Sequence, residues 1–126
     1  MEKEKPYGYE LIMDLHDCNV SKFNRGSLES YFTKLCEAID MKKCKLCFWD
    51  DQGLPPEQCQ TLPHTKGTSA VQFILTSSVV VHTLDLLKAS YVNIFSCKKF
   101  DKGLAEKITE EWFEAKEHYS HFIERI

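Results

Sequence analysis

Apolar and polar positions alternate at the start of the chain. Across residues 9–17, Leu11, Met13 and Leu15 share one side of an extended segment, the period-two pattern of a half-buried strand. The period then lengthens. Leu28, Tyr31, Phe32, Leu35, Cys36 and Ile39 recur at helical spacing behind Ser27, a residue type that caps helix N-termini. Residues 44–49 read as a short strand, and Gly53-Leu54-Pro55-Pro56 marks a long loop over about 50–66. Residues 70–75 and 79–84 read as strands hinged near a pair of serines, and 91–97 as another. Asp101 is placed to cap a last helix whose Leu104, Ile108, Trp112, Ala115, Tyr119 and Phe122 form one stripe. Two helices on one face of a mostly antiparallel sheet make a two-layer α+β sandwich. Such a sheet leaves a face or an edge to cover, which predicts a homodimer.

Composition narrows the functional classes. At 126 residues the chain holds one domain, 1–126, with a real core and no room for a second of typical size. Sixteen basic and 19 acidic residues leave a net charge of −3, so there is no electrostatic footprint for nucleic acid. No apolar run is long enough to span a bilayer, and Met1-Glu2-Lys3-Glu4-Lys5 is not a secretory leader. Six cysteines without such a leader predict a reducing cytoplasm in which they remain thiols.

Thr76-Ser77-Ser78, followed by Val79-Val80-Val81-His82-Thr83, is the segment with candidate chemistry. A serine hydroxyl is a weak nucleophile until a base takes its proton. His82, which titrates near neutral pH when unperturbed, is the nearest base in sequence. The same residues also suit an ordinary strand with a satisfied core histidine. Gly67-Thr68-Ser69-Ala70 precedes this segment, and Tyr91-Val92-Asn93-Ile94-Phe95-Ser96-Cys97 follows it.

Together with Gly8-Tyr9-Glu10-Leu11-Ile12-Met13-Asp14-Leu15-His16-Asp17-Cys18-Asn19, these windows resemble the small bacterial and archaeal S-adenosylmethionine decarboxylases over roughly residues 7–101. Those are pyruvoyl enzymes of polyamine, notably spermidine, biosynthesis, made as self-cleaving proenzymes. Ser69, Ser77, His82 and Cys97 fall at the family's spacings without a gap. The resemblance implies that Ser77 attacks the Thr76 carbonyl, that the chain parts between 76 and 77, and that residue 77 becomes a pyruvoyl group. Ser69 and His82 would assist this processing. The pyruvoyl carbonyl would form a Schiff base with a substrate amine and act as an electron sink for decarboxylation, and Cys97 would return the proton. No metal is implied.

The chain departs from the family at three places. Thr76 stands where the family has glutamate, Leu84-Asp85-Leu86 where it has Trp-Pro-Glu, and Leu62-Pro63-His64 where it has a phenylalanine. Loss of a stacking ring and a ribose carboxylate would remove several kcal/mol of nucleoside recognition, at roughly 1–3 kcal/mol per stacked base. A smaller amine-bearing carboxylic acid such as ornithine or arginine is therefore expected beside the family's usual substrate. Asp17 and Asp85 are candidates for its distal cation, although either also suits a solvated surface charge.

Cys44, Cys47, Cys59 and His64 nearly spell a zinc site. Residues three apart on a strand face opposite sides, which counts against it. His118 and His121, three apart on the last predicted helix, suit a solvated face. A second class of function stays open: an uncleaved, non-catalytic homologue that binds a ligand or pairs with an active relative.

Overall fold

The structure, a computed structural model, describes residues 5–126, so most of the segment read for a leader lies outside the described residues. The chain runs β1 (Gly8–His16), a 3₁₀ turn (Val20–Lys22), α1 (Arg25–Ala38), β2 (Lys43–Trp49), a 3₁₀ turn (Pro56–Gln58) and β3 (Gly67–Ile74). It continues with β4 (Ser77–Leu84), β5 (Ala89–Ser96), α2 (Lys102–Phe113) and β6 (Glu117–Arg125). The strands form one sheet in the order β2-β3-β4-β5-β1-β6, antiparallel at every step. The α+β sandwich read from the sequence is the observed architecture.

Period-two alternation sorts each strand between two faces. Leu11, Met13 and Leu15 of β1, Val79 and Val81 of β4, and Val92 and Ile94 of β5 are buried under the helices. Leu28, Tyr31, Phe32, Leu35 and Cys36 of α1 and Ala105, Ile108 and Phe113 of α2 fill the space above them. The Tyr31 hydroxyl meets Thr109 Oγ1 at 2.6 Å between the helices, so both of these buried hydroxyls are satisfied. Ile12, Val80, His82, Tyr91 and Asn93 look out from the other face, which no helix covers.

Two expectations are corrected. Helix α1 is capped by Asn24, not Ser27: Asn24 Oδ1 accepts the Ser27 amide at 2.9 Å, and the Ser27 hydroxyl instead accepts Trp112 Nε1–H at 3.0 Å from α2. The last predicted helix ends at Phe113. Glu114 turns into the left-handed region at φ 52°, and the Lys116 amide bonds the His16 carbonyl at 3.1 Å to start β6. Tyr119 and Phe122 therefore lie on a strand, with His118 and His121 on its opposite faces. Phe122 satisfied the helical stripe and the strand alternation equally. What decided the outcome was the free edge of β1, a tertiary feature.

Candidate active site

Strands β3 and β4 form a hairpin whose register sets Ser69 opposite His82. Ser69 Oγ and His82 Nδ1 lie 2.8 Å apart on the open face. The neighbouring pair secures this contact from the covered face. Thr83 Oγ1 accepts the Thr68 amide at 3.1 Å and donates to the Thr68 carbonyl at 3.2 Å. Gly67 approaches so closely that a Cβ there would sit 1.6 Å from the Thr83 carbonyl oxygen. The glycine of the Gly-x-Ser segment is thus a packing requirement: it brings β3 onto β4, Thr68 is clamped, and Ser69 faces the histidine.

The turn of the hairpin lies at the other end. Ile74 pairs with Ser77, so Leu75 and Thr76 alone make the connection. Ser77 Oγ accepts the Cys97 amide at 3.0 Å and lies 3.7 Å from Cys97 Sγ. Thr76 Oγ1 lies 3.3 Å from the same sulfur. These contacts hold the Cys97 thiol below the ordinary thiol range, Thr76 contributing most and Ser77 next. Ser77 stands between two clefts. One, of about 250 Å³, is lined by Met41, Lys42, Leu75, Cys97 and Lys98. The other, of about 350 Å³, opens over Phe73, Ser78 and Phe95.

The four residues singled out by spacing therefore fall into two pairs, Ser69 with His82 and Ser77 with Cys97. His82 is five residues along β4 from Ser77, about 16 Å at the rise of a strand, and the odd separation turns it to the other face. Within one chain His82 is not the base that reaches Ser77.

Neither aspartate joins them. Asp17, in the left-handed region just after β1, pairs with Lys116 Nζ at 3.5 Å. Asp85 lies past the far end of β4, in a cleft of about 240 Å³ with Arg25, Asp50, Asp51 and Lys66. Burial pushes its carboxyl up; Lys66 opposes that shift and Asp51 reinforces it. Cys44, Cys47, Cys59 and His64 do not converge, and among the described residues no group of three or more histidines, cysteines or acids is placed to hold a metal ion. Cys59 Sγ instead faces the Pro55 carbonyl at 3.5 Å. All six cysteines are free thiols.

Some neighbours of Ser77 were not found from the sequence. Lys98 Nζ pairs with Asp40 at 3.2 Å beside the first cleft. Phe73, 45 % exposed, and Phe95, against which Tyr7 stands edge-on at 6.4 Å, flank the second. The signal available was alternation alone, which put Phe73 and Phe95 on the uncovered face. Nothing in the sequence joined Lys98 to Asp40.

The model of the S-adenosylmethionine decarboxylase family matches residues 9–126. Among solved structures, the adenosylmethionine decarboxylase from Aquifex aeolicus superposes with a TM-score of 0.77 at 15 % identity, covering 97 % of this chain and 92 % of that one. At that identity the likeness shows a shared fold. Among curated proteins none matches significantly. No helix among the described residues is long and apolar enough to cross a membrane.

Proposed function

The chain belongs to the S-adenosylmethionine decarboxylase family, and on that premise we propose that it is a proenzyme that cleaves itself between Thr76 and Ser77 and becomes a pyruvoyl-dependent carboxy-lyase. The observation that carries this reading is the setting of Ser77: a hydroxyl at a hairpin turn, bonded to the Cys97 amide and beside the Cys97 thiol. Ser77 Oγ attacks the Thr76 carbonyl carbon. The new O–C bond replaces the peptide C–N bond, and the proton passes to the Ser77 nitrogen. Elimination across Cα–Cβ then releases the Thr76 carboxylate. One water converts the remaining dehydroalanine to a terminal ketone and frees ammonia.

The residues present fit such a group. Position 77 opens on two clefts, so a ketone there meets a ligand without unfolding the hairpin. Once formed, it supplies an electron sink for the carbanion left by departing carbon dioxide. Cys97 is the general acid that returns a proton to that carbon, and its lowered pKa makes it a stronger donor than an ordinary thiol.

Processing needs a base, and His82 of the same chain is too far from Ser77. We therefore assign the second half of the site to a second copy. The uncovered sheet face carries Ser69 and His82 among Ile12, Val80 and Tyr91. In the proposed dimer two such faces stack about 10 Å apart, as sandwich sheets do. Ser69 and His82 of the partner subunit approach the hairpin end from the uncovered side, where the Phe73, Ser78 and Phe95 cleft opens beside Ser77. The proposal is a homodimer with two shared sites.

For the substrate, we favour a small basic amino acid such as ornithine or arginine over S-adenosylmethionine. Leu84 lies on the uncovered face where the family pattern has a tryptophan, and an aliphatic side chain provides no stacking ring. Asp85 is held in the Lys66 and Asp51 cleft, so no carboxylate replaces the family's glutamate. Asp17 pairs with Lys116 and Asp85 lies in a cleft of its own, so neither reaches the Ser77 clefts to hold the distal cation.

Mass spectrometry of purified protein tests the processing step. The expected result is two chains, residues 1–76 and 77–126, the second blocked to N-terminal sequencing, with the Ser77→Ala variant intact. A wild-type chain that stays whole on prolonged incubation would leave the uncleaved, ligand-binding homologue as the reading.

A further inference from the structure

Five non-glycine residues among those described have positive φ: Asp17, Asp40, Thr76, Lys88 and Glu114. Thr76, at φ 51°, is the β-branched one. For a β-branched side chain the left-handed region is a true outlier, because Cβ crowds the following carbonyl oxygen. That carbonyl is the one Ser77 is read to attack.

The turn compounds this. Two-residue hairpins favour type I′ or II′ turns, which put positive φ at the first central residue and follow the twist of the strands. Here the first central residue, Leu75, is not among the positive-φ residues, and Thr76, the second, is. Positive φ at that second place is what a type II turn reserves for glycine or asparagine, and such a turn splays the strands it joins. The ladder nevertheless continues to the Ile74–Ser77 pair. The threonine side chain is tied on both sides, donating to the Leu75 carbonyl at 2.8 Å and meeting Cys97 Sγ at 3.3 Å. Ser77 is pinned in turn by the Cys97 amide.

We propose that Thr76 is the positioning residue of self-cleavage: its left-handed, β-branched backbone strains the Thr76–Ser77 peptide, and attack by Ser77 Oγ releases that strain. The inference rests on the processing reading above. In the acyl shift the Oγ–C bond forms as the N–C bond breaks, and the Oγ proton ends on the freed Ser77 nitrogen; no other reactant is consumed. The link from Thr76 to Ser77 Cα then runs through Oγ and Cβ in place of one nitrogen. One atom is added to a turn of minimal length, and Thr76 can leave the left-handed region.

Cleavage rates of fresh precursor decide it. Thr76→Gly accepts the same φ without crowding and is expected to cleave roughly 5- to 30-fold more slowly, the range set by the cost of one left-handed residue. Thr76→Val keeps the β-branch and the strained backbone, loses only the hydroxyl, which takes no part in the bond change, and is expected to cleave within about threefold of wild type. On a Ser77→Ala background, Thr76→Gly should raise the unfolding midpoint. A lower midpoint would trace slow cleavage to a damaged fold and overturn the proposal. A Thr76→Gly variant that cleaves as fast as wild type overturns this inference alone, whereas a wild type that never cleaves overturns the processing reading and this inference together.

Discussion

Ser69 Oγ and His82 Nδ1 meet at 2.8 Å across the β3–β4 ladder, yet neither forms a hydrogen bond to Ser77. The contact activates nothing within its own chain. In the proposed dimer it serves as half of a site, acting on the serine that another copy supplies.

That relationship predicts complementation. Ser77→Ala keeps its Ser69–His82 pair, and His82→Ala keeps its scissile turn. Each alone should stay uncleaved. Co-expressed or co-refolded, they form mixed dimers in which one site is whole, so the His82→Ala chain should be cleaved there. Masses that show both chains intact after mixing would contradict the shared site, and light scattering of a monomer at micromolar concentration would contradict the dimer itself. The interface should bury more than ~1,000 Å² in total, as stable complexes do.

Gly67 gives a second prediction, at a residue with no part in bond making. A Cβ there meets backbone at 1.6 Å, so Gly67→Ala must push β3 away from β4. The Thr68–Thr83 clamp opens and the Ser69–His82 contact lengthens. Overpacking of this kind costs about 1–3 kcal/mol, readable as a lower urea midpoint, and processing should slow with it. Gly103→Ala is the control. The nearest atom to its Cβ is a side-chain oxygen at 3.5 Å, so that change should be neutral or stabilising by up to about 1 kcal/mol. Equal effects at the two glycines would show that the close approach at Gly67 is unimportant.

The sequence made the sandwich, five of six strands and both helix starts readable to within a few residues, because burial on one face imposes a period that survives in the residue order. Strand β6 differs from the expected helix because Tyr119 and Phe122, three apart, continue a helical stripe although they face opposite sides of a strand, and the hydrogen-bonding edge that captures the segment belongs to β1, a hundred residues away in the chain. The candidate site was legible as residue types and spacings, not as a geometry. Spacing gave Ser77 and His82 as neighbours, while strand rise and parity separate them. The role of Thr76 was hidden for a different reason. Its φ is set by the length of the connection between two registered strands, which threonine itself does not announce.

Cys97 should react before the buried thiols Cys18 and Cys36 at mildly alkaline pH. The thiolate is the form that alkylates, and a lowered pKa moves the rise of the rate curve to lower pH. Cys18 and Cys36 move the other way, each pushed up to about 11, chiefly by burial. Peptide mapping after brief alkylation of the Ser77→Ala chain should find label at Cys97 before either of them. Adding Thr76→Val removes the first contributor, so the Cys97 curve should shift back to higher pH. An unchanged curve would mean that the 3.3 Å contact with Thr76 does not tune the thiol.

The two reactions should come apart by mutation. Cys97→Ala leaves the Ser77 hydroxyl and the partner subunit's histidine in place, so it should still process. It lacks the group that returns the proton, so decarboxylation should fall by roughly 10²–10⁴-fold, the usual worth of a placed general acid. His82→Ala should fail one step earlier, at cleavage. The substrate is decided with the processed wild-type enzyme, by carbon dioxide release from a panel of carboxyl-labelled amino acids and S-adenosylmethionine. With Leu84 where a stacking ring would stand and Asp85 held in its own cleft, nucleoside recognition has lost two contributors. S-adenosylmethionine turnover should therefore fall roughly 5- to 150-fold against a site that keeps a stack worth about 1–3 kcal/mol, and ornithine or arginine should outpace it. Efficient turnover of S-adenosylmethionine would show that other rings, Phe73 and Phe95 beside Ser77 foremost, have taken over the stacking, and it would return the chain to the usual substrate of its family.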